Sequence, residues 1–89
     1  MQKYTVKIKQ PKPRSQFYID TKSKKRLIFD FGEVHFEQRV RFKQIAEKLK
    51  SNDLLTIIAP KQLETEHFII LDALHMTIKN NKNERLYTA

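Results

Sequence analysis

Half of the basic side chains in this 89-residue sequence lie in its first 26 positions. Lys3, Lys7, Lys9, Lys12, Arg14, Lys22, Lys24, Lys25 and Arg26 stand there against one acid, Asp20. Residues 27–89 hold nine bases and nine acids, so the formal net charge of +8 belongs entirely to the first 26 residues. The chemistry open to such a cluster is anion capture, since ammonium and guanidinium groups pair with phosphates and release condensed counterions. A one-sided positive field attracts polyanions, nucleic acid foremost. Tyr18 lies among these cations, and an outward ring there would offer any base a flat stacking face. The competing readings are a solubilising surface for the lysines and, for Tyr18, a ring packed at the rim of a core with its hydroxyl in water.

No other grouping of reactive side chains makes a legible site. His35, His67 and His75 have no paired spacing and no cysteine accompanies them, so no zinc site is expected. His67 and His75 are too far apart to ligate one metal from an extended strand. Asp30, Glu33 and Glu37 are close in sequence, but acids at a helix start complement the helix dipole. No Ser-His-Asp order, glycine-rich phosphate loop or pair of carboxylates in an apolar pocket is present. The chain reads as a non-enzyme with no cofactor.

Composition narrows the class further. A chain of this length makes one domain with a small core. Apolar residues are 39% and charged residues 31%. No apolar run approaches the roughly 18 residues of a membrane span, and no signal-peptide pattern opens the chain, so no membrane partner is expected. The absence of cysteine excludes disulfide staples and suits a reducing compartment, so a cytoplasmic location is expected.

These side chains are positioned by a run of strands interrupted by one helix. Phe42, Ile45, Ala46 and Leu49 recur at i, i+3, i+4 and i+7, which predicts a helix over 39–50 with one apolar face. Before it, Tyr4, Val6 and Ile8 alternate with lysines and Thr5 as a half-buried strand. Pro11 and Pro13 mark a loop. Strands are predicted over 16–21 and 26–31, joined by a four-residue tip at Lys22–Lys25. Phe17 and Ile19 are expected to face the core with Leu27, Phe29 and Phe31, which leaves Tyr18 and Ile28 outward. Gly32, the only glycine, sits where the third strand must bend and positive φ is tolerated. Val34 and Phe36 continue the strand past that bend, and Phe36 with Val40 lies off the helix stripe as a cap on the core or a small exposed patch. Ser51, Asn52 and Asp53 break the helix, and Leu54–Ala59 is too short and β-branched for another. A polar connection over 60–66 leads to a long strand over 67–78. There Phe68, Ile70, Leu74, Met76 and Ile78 share one parity, and a bulge near Asp72–Ala73 keeps the aspartate out of the core. Residues 79–89 read as a polar, flexible tail, so the domain is set at residues 1–78.

The resulting class is all-β with one helix, in the order β-β-β-α-β-β, which is the order of the five-stranded OB-fold barrel. Residues 48–59, Lys-Leu-Lys-Ser-Asn-Asp-Leu-Leu-Thr-Ile-Ile-Ala, look like the helix end, polar turn and fourth strand of the single-stranded-DNA-binding protein family. Residues 67–76, with their acidic-small step at Asp72-Ala73, resemble that family's fifth strand. The chain departs from the family in having no tryptophan, no glycine in the first strand and no acidic C-terminal tail. The resemblance implies binding of single strands across the second and third strands and the loops beside them. Lys7, Lys9, Lys12, Arg14, Lys24, Lys25 and Arg26 are then the phosphate-pairing residues and Tyr18 the stacking ring. Two functions follow. One is a sequence-tolerant binder of single-stranded DNA, or RNA, as an accessory factor in DNA replication or recombination. The other is a protein-interaction module docking through Phe36 and Val40, such as a small polymerase, primase or helicase subunit or a mobile-element-encoded inhibitor. Nothing in the sequence identifies a reader of the 2′-hydroxyl or sets the oligomeric state.

Overall fold

A computed structural model describes residues 1–8, 18–33, 36–50 and 52–88. The protein is mostly β with one α-helix, arranged as two four-stranded sheets. Among the described residues, eight strands run in chain order as β1 (Gln2–Lys7), β2 (Tyr18–Ile19), β3 (Arg26–Asp30), β4 (Leu54–Ala59), β5 (Lys61–Glu64), β6 (Phe68–Asp72), β7 (Thr77–Lys79) and β8 (Arg85–Thr88). The helix α1 (Phe36–Glu47) lies between β3 and β4, and a 3₁₀ turn, Ala73–His75, lies between β6 and β7. The first sheet has the order β1-β4-β7-β8 and is antiparallel throughout. The second has the order β2-β3-β6-β5, with β3 and β6 parallel.

Alternation decides which face each strand buries. Tyr4, Val6 and Ile8 point inward from the first strand as the pattern predicts, and Leu55, Ile57 and Ala59 do so from β4. Ile69 and Leu71 of β6, Leu27 of β3, Ile78 of β7 and Tyr87 of β8 complete one apolar cluster drawing on both sheets. Phe42 of α1 inserts into it and becomes the hub of an aromatic group. Its ring centroid lies 5.0 Å from Phe29, 5.4 Å from Phe31, 5.6 Å from Tyr18 and 6.1 Å from Tyr87. Ile45 and Leu49 pack on the same core from one side.

Several sequence expectations shift. The helix starts and ends three residues earlier than 39–50, because Phe36 opens it rather than prolonging β3. Lys48 and Leu49 are held past its end by bonds to the carbonyls of Ile45 and Ala46. Lys61–Glu64, expected as a connection, is a strand on the edge beside β6, all four residues exposed. The predicted strand over 67–78 is cut in two at Asp72. The Asp72 carboxylate accepts a bond from the Leu74 amide at 2.9 Å and caps the 3₁₀ turn. That turn resets the parity, so Ile69 and Leu71 are inward before it and Met76 and Ile78 after it, while Phe68 and Ile70 keep partial exposure. The tail is not a free appendage either. Residues 80–84 make a turn braced by the Asn80 side chain, and β8 pairs with β7, burying Tyr87. The core therefore extends past residue 78. Gly32 does adopt positive φ, 69°, at the exit of β3.

Candidate nucleic-acid interface

The β2–β3 turn is organised by the one acid of the basic segment. Asp20 is buried, and its carboxylate accepts bonds from the Ser23 amide at 3.0 Å and the Ser23 hydroxyl at 2.7 Å. Its amide donates to the Lys25 carbonyl and its carbonyl accepts from the Lys24 amide, which closes the turn. Lys24 takes φ 63°, a left-handed conformation unusual for a residue with a Cβ, and projects at the tip with Lys22. Among the described residues, neither Lys22 nor Lys24 joins an ion pair. Lys25 does: its Nζ donates to Glu64 Oε2 at 2.6 Å, and Lys61 holds the other carboxylate oxygen at 3.0 Å. The two ammonium groups keep the Glu64 carboxyl below the usual carboxylate range, and the same bond raises Lys61.

The register places Tyr18 on the opposite side from the one the alternation suggested. Tyr18 pairs with Leu27, and residues facing each other across an antiparallel ladder share a side. Tyr18 is therefore inward, 3% exposed, edge-on to Phe29 at 5.0 Å. Burial pushes its hydroxyl up to about 12. A ring buried this way offers no face on which a base could stack. Ile19, expected inside, pairs with Arg26 and points away from the core.

Of the other sequence-selected residues, Lys7 is exposed on β1, and Lys24 and Arg26 are exposed at the turn and on β3. Lys9, Lys12 and Arg14 lie outside the described residues. Phe36 is 75% exposed at the first position of α1, with half-buried Val40 one turn further along the helix.

What the sequence reading missed is the outer face of the second sheet. In the parallel ladder Arg26 stands beside Phe68 and Ile28 beside Ile70, and Leu63 of β5 lies on the far side of Ile70. Ile28 is 37% and Leu63 51% exposed, and Phe68 and Ile70 are partly so. An aromatic ring and an apolar row thus lie open next to the Lys22–Lys24 tip and Arg26. The signal was available in the sequence as the inward parity of Ile69 and Leu71, but the turn at Asp72 had to be known to choose it.

Comparison with protein-family models, with curated proteins and with solved structures finds no match.

The remaining polar groups make local structure. His75 Nδ1 lies 2.7 Å from Asp72 Oδ2, and that bond, with the Leu74 amide, holds the Asp72 carboxyl below its ordinary range. Among the described residues no group of three or more His, Asp or Glu is placed to hold a metal ion, and no helix is long and apolar enough to cross a membrane.

Proposed function

We propose that the chain is a sequence-tolerant binder of single-stranded nucleic acid, most directly single-stranded DNA, acting as an accessory factor in replication or recombination. The observation that carries this reading is the coincidence of charge and open apolar surface on one sheet. Lys22, Lys24 and Arg26 border a face bearing Phe68, Ile28 and Ile70. Cations along the rim pair with phosphates while the ring and the aliphatic row take base faces. Phe68 replaces Tyr18 as the stacking side chain.

The same reading takes the architecture as a partly open OB-type barrel. Supporting it, a Val6–Asp20 bridge and the Thr21 amide bonded to the Thr5 carbonyl join β1 to the β2 end. β4 runs into β5 with only Pro60 between, and the Pro60 carbonyl accepts the Asp72 amide at 2.9 Å. Counting β4 and β5 as one bent strand, the pairings run β1-β2-β3-β6-β5/β4 and return to β1. The β7–β8 hairpin then extends the wall beside β4, and α1 closes one end through Phe42. Binding over the second and third strands is what that architecture favours.

The test is a titration against single-stranded DNA, duplex DNA and RNA at two salt concentrations. Single strands should bind more tightly than duplex, and engagement of four to six phosphates gives a slope of log K on log salt of about −3 to −4. A second reading, a protein-interaction module within a polymerase, primase or helicase assembly, is favoured by the exposure of Leu63 and Phe36. Equal binding to single strand and duplex, or no salt dependence, selects that reading.

A further inference from the structure

Between β3 and α1 lies an open cleft of about 350 Å³. Its apolar lining is contributed chiefly by Phe29, Phe31 and Phe42, with Phe29 still partly exposed, and its charged lining by Arg26, Arg39 and Lys43. No acid lines it. Arg39 and Lys43 are four residues apart and so share a helix face. The Arg39 guanidinium donates to the Gly32 carbonyl at 3.2 Å, which fixes it beside the β3 exit. An aromatic floor under a purely cationic rim is complementary to an anion that carries a flat apolar body. The volume lies within the range of small-molecule sites.

We propose that this cleft holds one nucleotide of the bound strand, its base against Phe29 and its phosphate on Arg39 and Lys43. The inference rests on the single-strand reading given above and extends it. Continuity argues for a nucleotide over any other anion: Arg26 and Ile28 belong both to the outer face of β3 and to the cleft lining. A strand crossing that face is delivered to the cleft without leaving β3. The bound strand then wraps from the Lys22–Lys24 tip, over Arg26, to the helix.

The experiment compares two charge-removing double variants in oligo(dT) titrations across salt. Arg39→Ala with Lys43→Ala should lower the slope of log K on log salt by up to about 1.4, about 0.7 for each lost phosphate contact. Taking affinities to converge at 1 M salt, that is up to about 25-fold weaker binding at 0.1 M. Lys79→Ala with Lys82→Ala, on the β7–β8 hairpin, removes the same charge and should leave the slope unchanged. Thymidine monophosphate added to the wild-type chain should shift the amide resonances of Phe29, Arg39 and Lys43 more than inorganic phosphate does. If oligo(dT) binds the wild type and the Arg39/Lys43 variant with the same slope, the cleft is not part of the path and the proposal is overturned, while the single-strand reading stands. Equal losses in the two double variants overturn it as well, since net charge alone then sets affinity. Shifts of the same amides by decanoate but not by the nucleotide assign the cleft to an acyl anion instead. Failure of the wild type to bind any single strand removes both readings together.

Discussion

Tyr18 offers the sharpest test of the packing described here, because an outward and an inward ring predict opposite outcomes. Its ring is 3% exposed, edge-on to Phe29 at 5.0 Å and tilted on Phe42 at 5.6 Å. Burying a large apolar side chain contributes about 1.5–3 kcal/mol. Each aromatic pair adds about 0.5–1.5 kcal/mol. Together these bracket the ~3–5 kcal/mol that truncating a core aromatic to alanine costs. A domain of this size has a total stability on the order of 4–13 kcal/mol. Tyr18→Ala should therefore lose a large part of it in urea denaturation at pH 7, whereas Tyr18→Phe keeps the ring and the fold and should bind oligo(dT) as the wild type does. The hydroxyl supplies a second readout. A folded value of about 12 against about 10 unfolded means the unfolded chain releases this proton first. The contribution is fully present below pH 10 and falls by about 1.4 kcal/mol per pH unit between pH 10 and 12. Burial raises Tyr4 and Tyr87 in the same direction, so wild-type stability declines through this window and Tyr18→Phe should flatten the decline. The reasoning is refuted if Tyr18→Ala costs under about 1 kcal/mol of stability while weakening single-strand binding, as an exposed stacking ring would.

Tyr87 is 2% exposed, and its hydroxyl has no hydrogen-bond partner among the described residues. Tyr87→Phe should leave stability unchanged or raise it by up to about 1 kcal/mol in thermal unfolding, since it deletes an unpaired buried group; a clear loss would mean the hydroxyl is partnered. Glu64 engages both Lys25 and Lys61, so Glu64→Gln should free two cations at the rim of the second sheet, within reach of a strand that crosses its edge. Oligo(dT) affinity should rise and the salt slope steepen by about 0.7 for each ammonium that finds a phosphate; unchanged affinity would place the strand elsewhere.

Much of the fold was legible because burial in this chain follows simple periods. Phe42, Ile45 and Leu49 announce a helix and its inward side, and β1 and β4 alternate without a break. In the long strand the misreading has a plain cause: parity is propagated along a strand, so a single unseen turn inverts everything beyond it. Asp72 caps a 3₁₀ turn instead of sitting in a bulge, and the choice between Phe68 and Ile69 as the inward residue depends on that. Phe17 and Ile19 suggest an outward Tyr18, yet its neighbour across the ladder, Leu27, decides the side. The C-terminal strand was hidden by composition, since a polar turn at 80–84 resembles a loose tail until Tyr87 is seen to fill a place against Phe42. For the site, the charge asymmetry was readable directly, but the Phe68–Ile70–Ile28 face required the parallel pairing of β3 with β6. No local sequence signal specifies a pairing between segments some forty residues apart.

The measurement that bears most directly on the central claim is amide chemical-shift mapping of the folded chain during titration with oligo(dT) at low salt. The account predicts the largest shifts at Lys22–Ile28 of the turn and β3 and at Phe68–Ile70 of β6, with the outer residues of β7 and β8 unmoved. Shifts confined to β7 and β8, or no shifts in a folded protein at concentrations where the oligonucleotide is in excess, would contradict it.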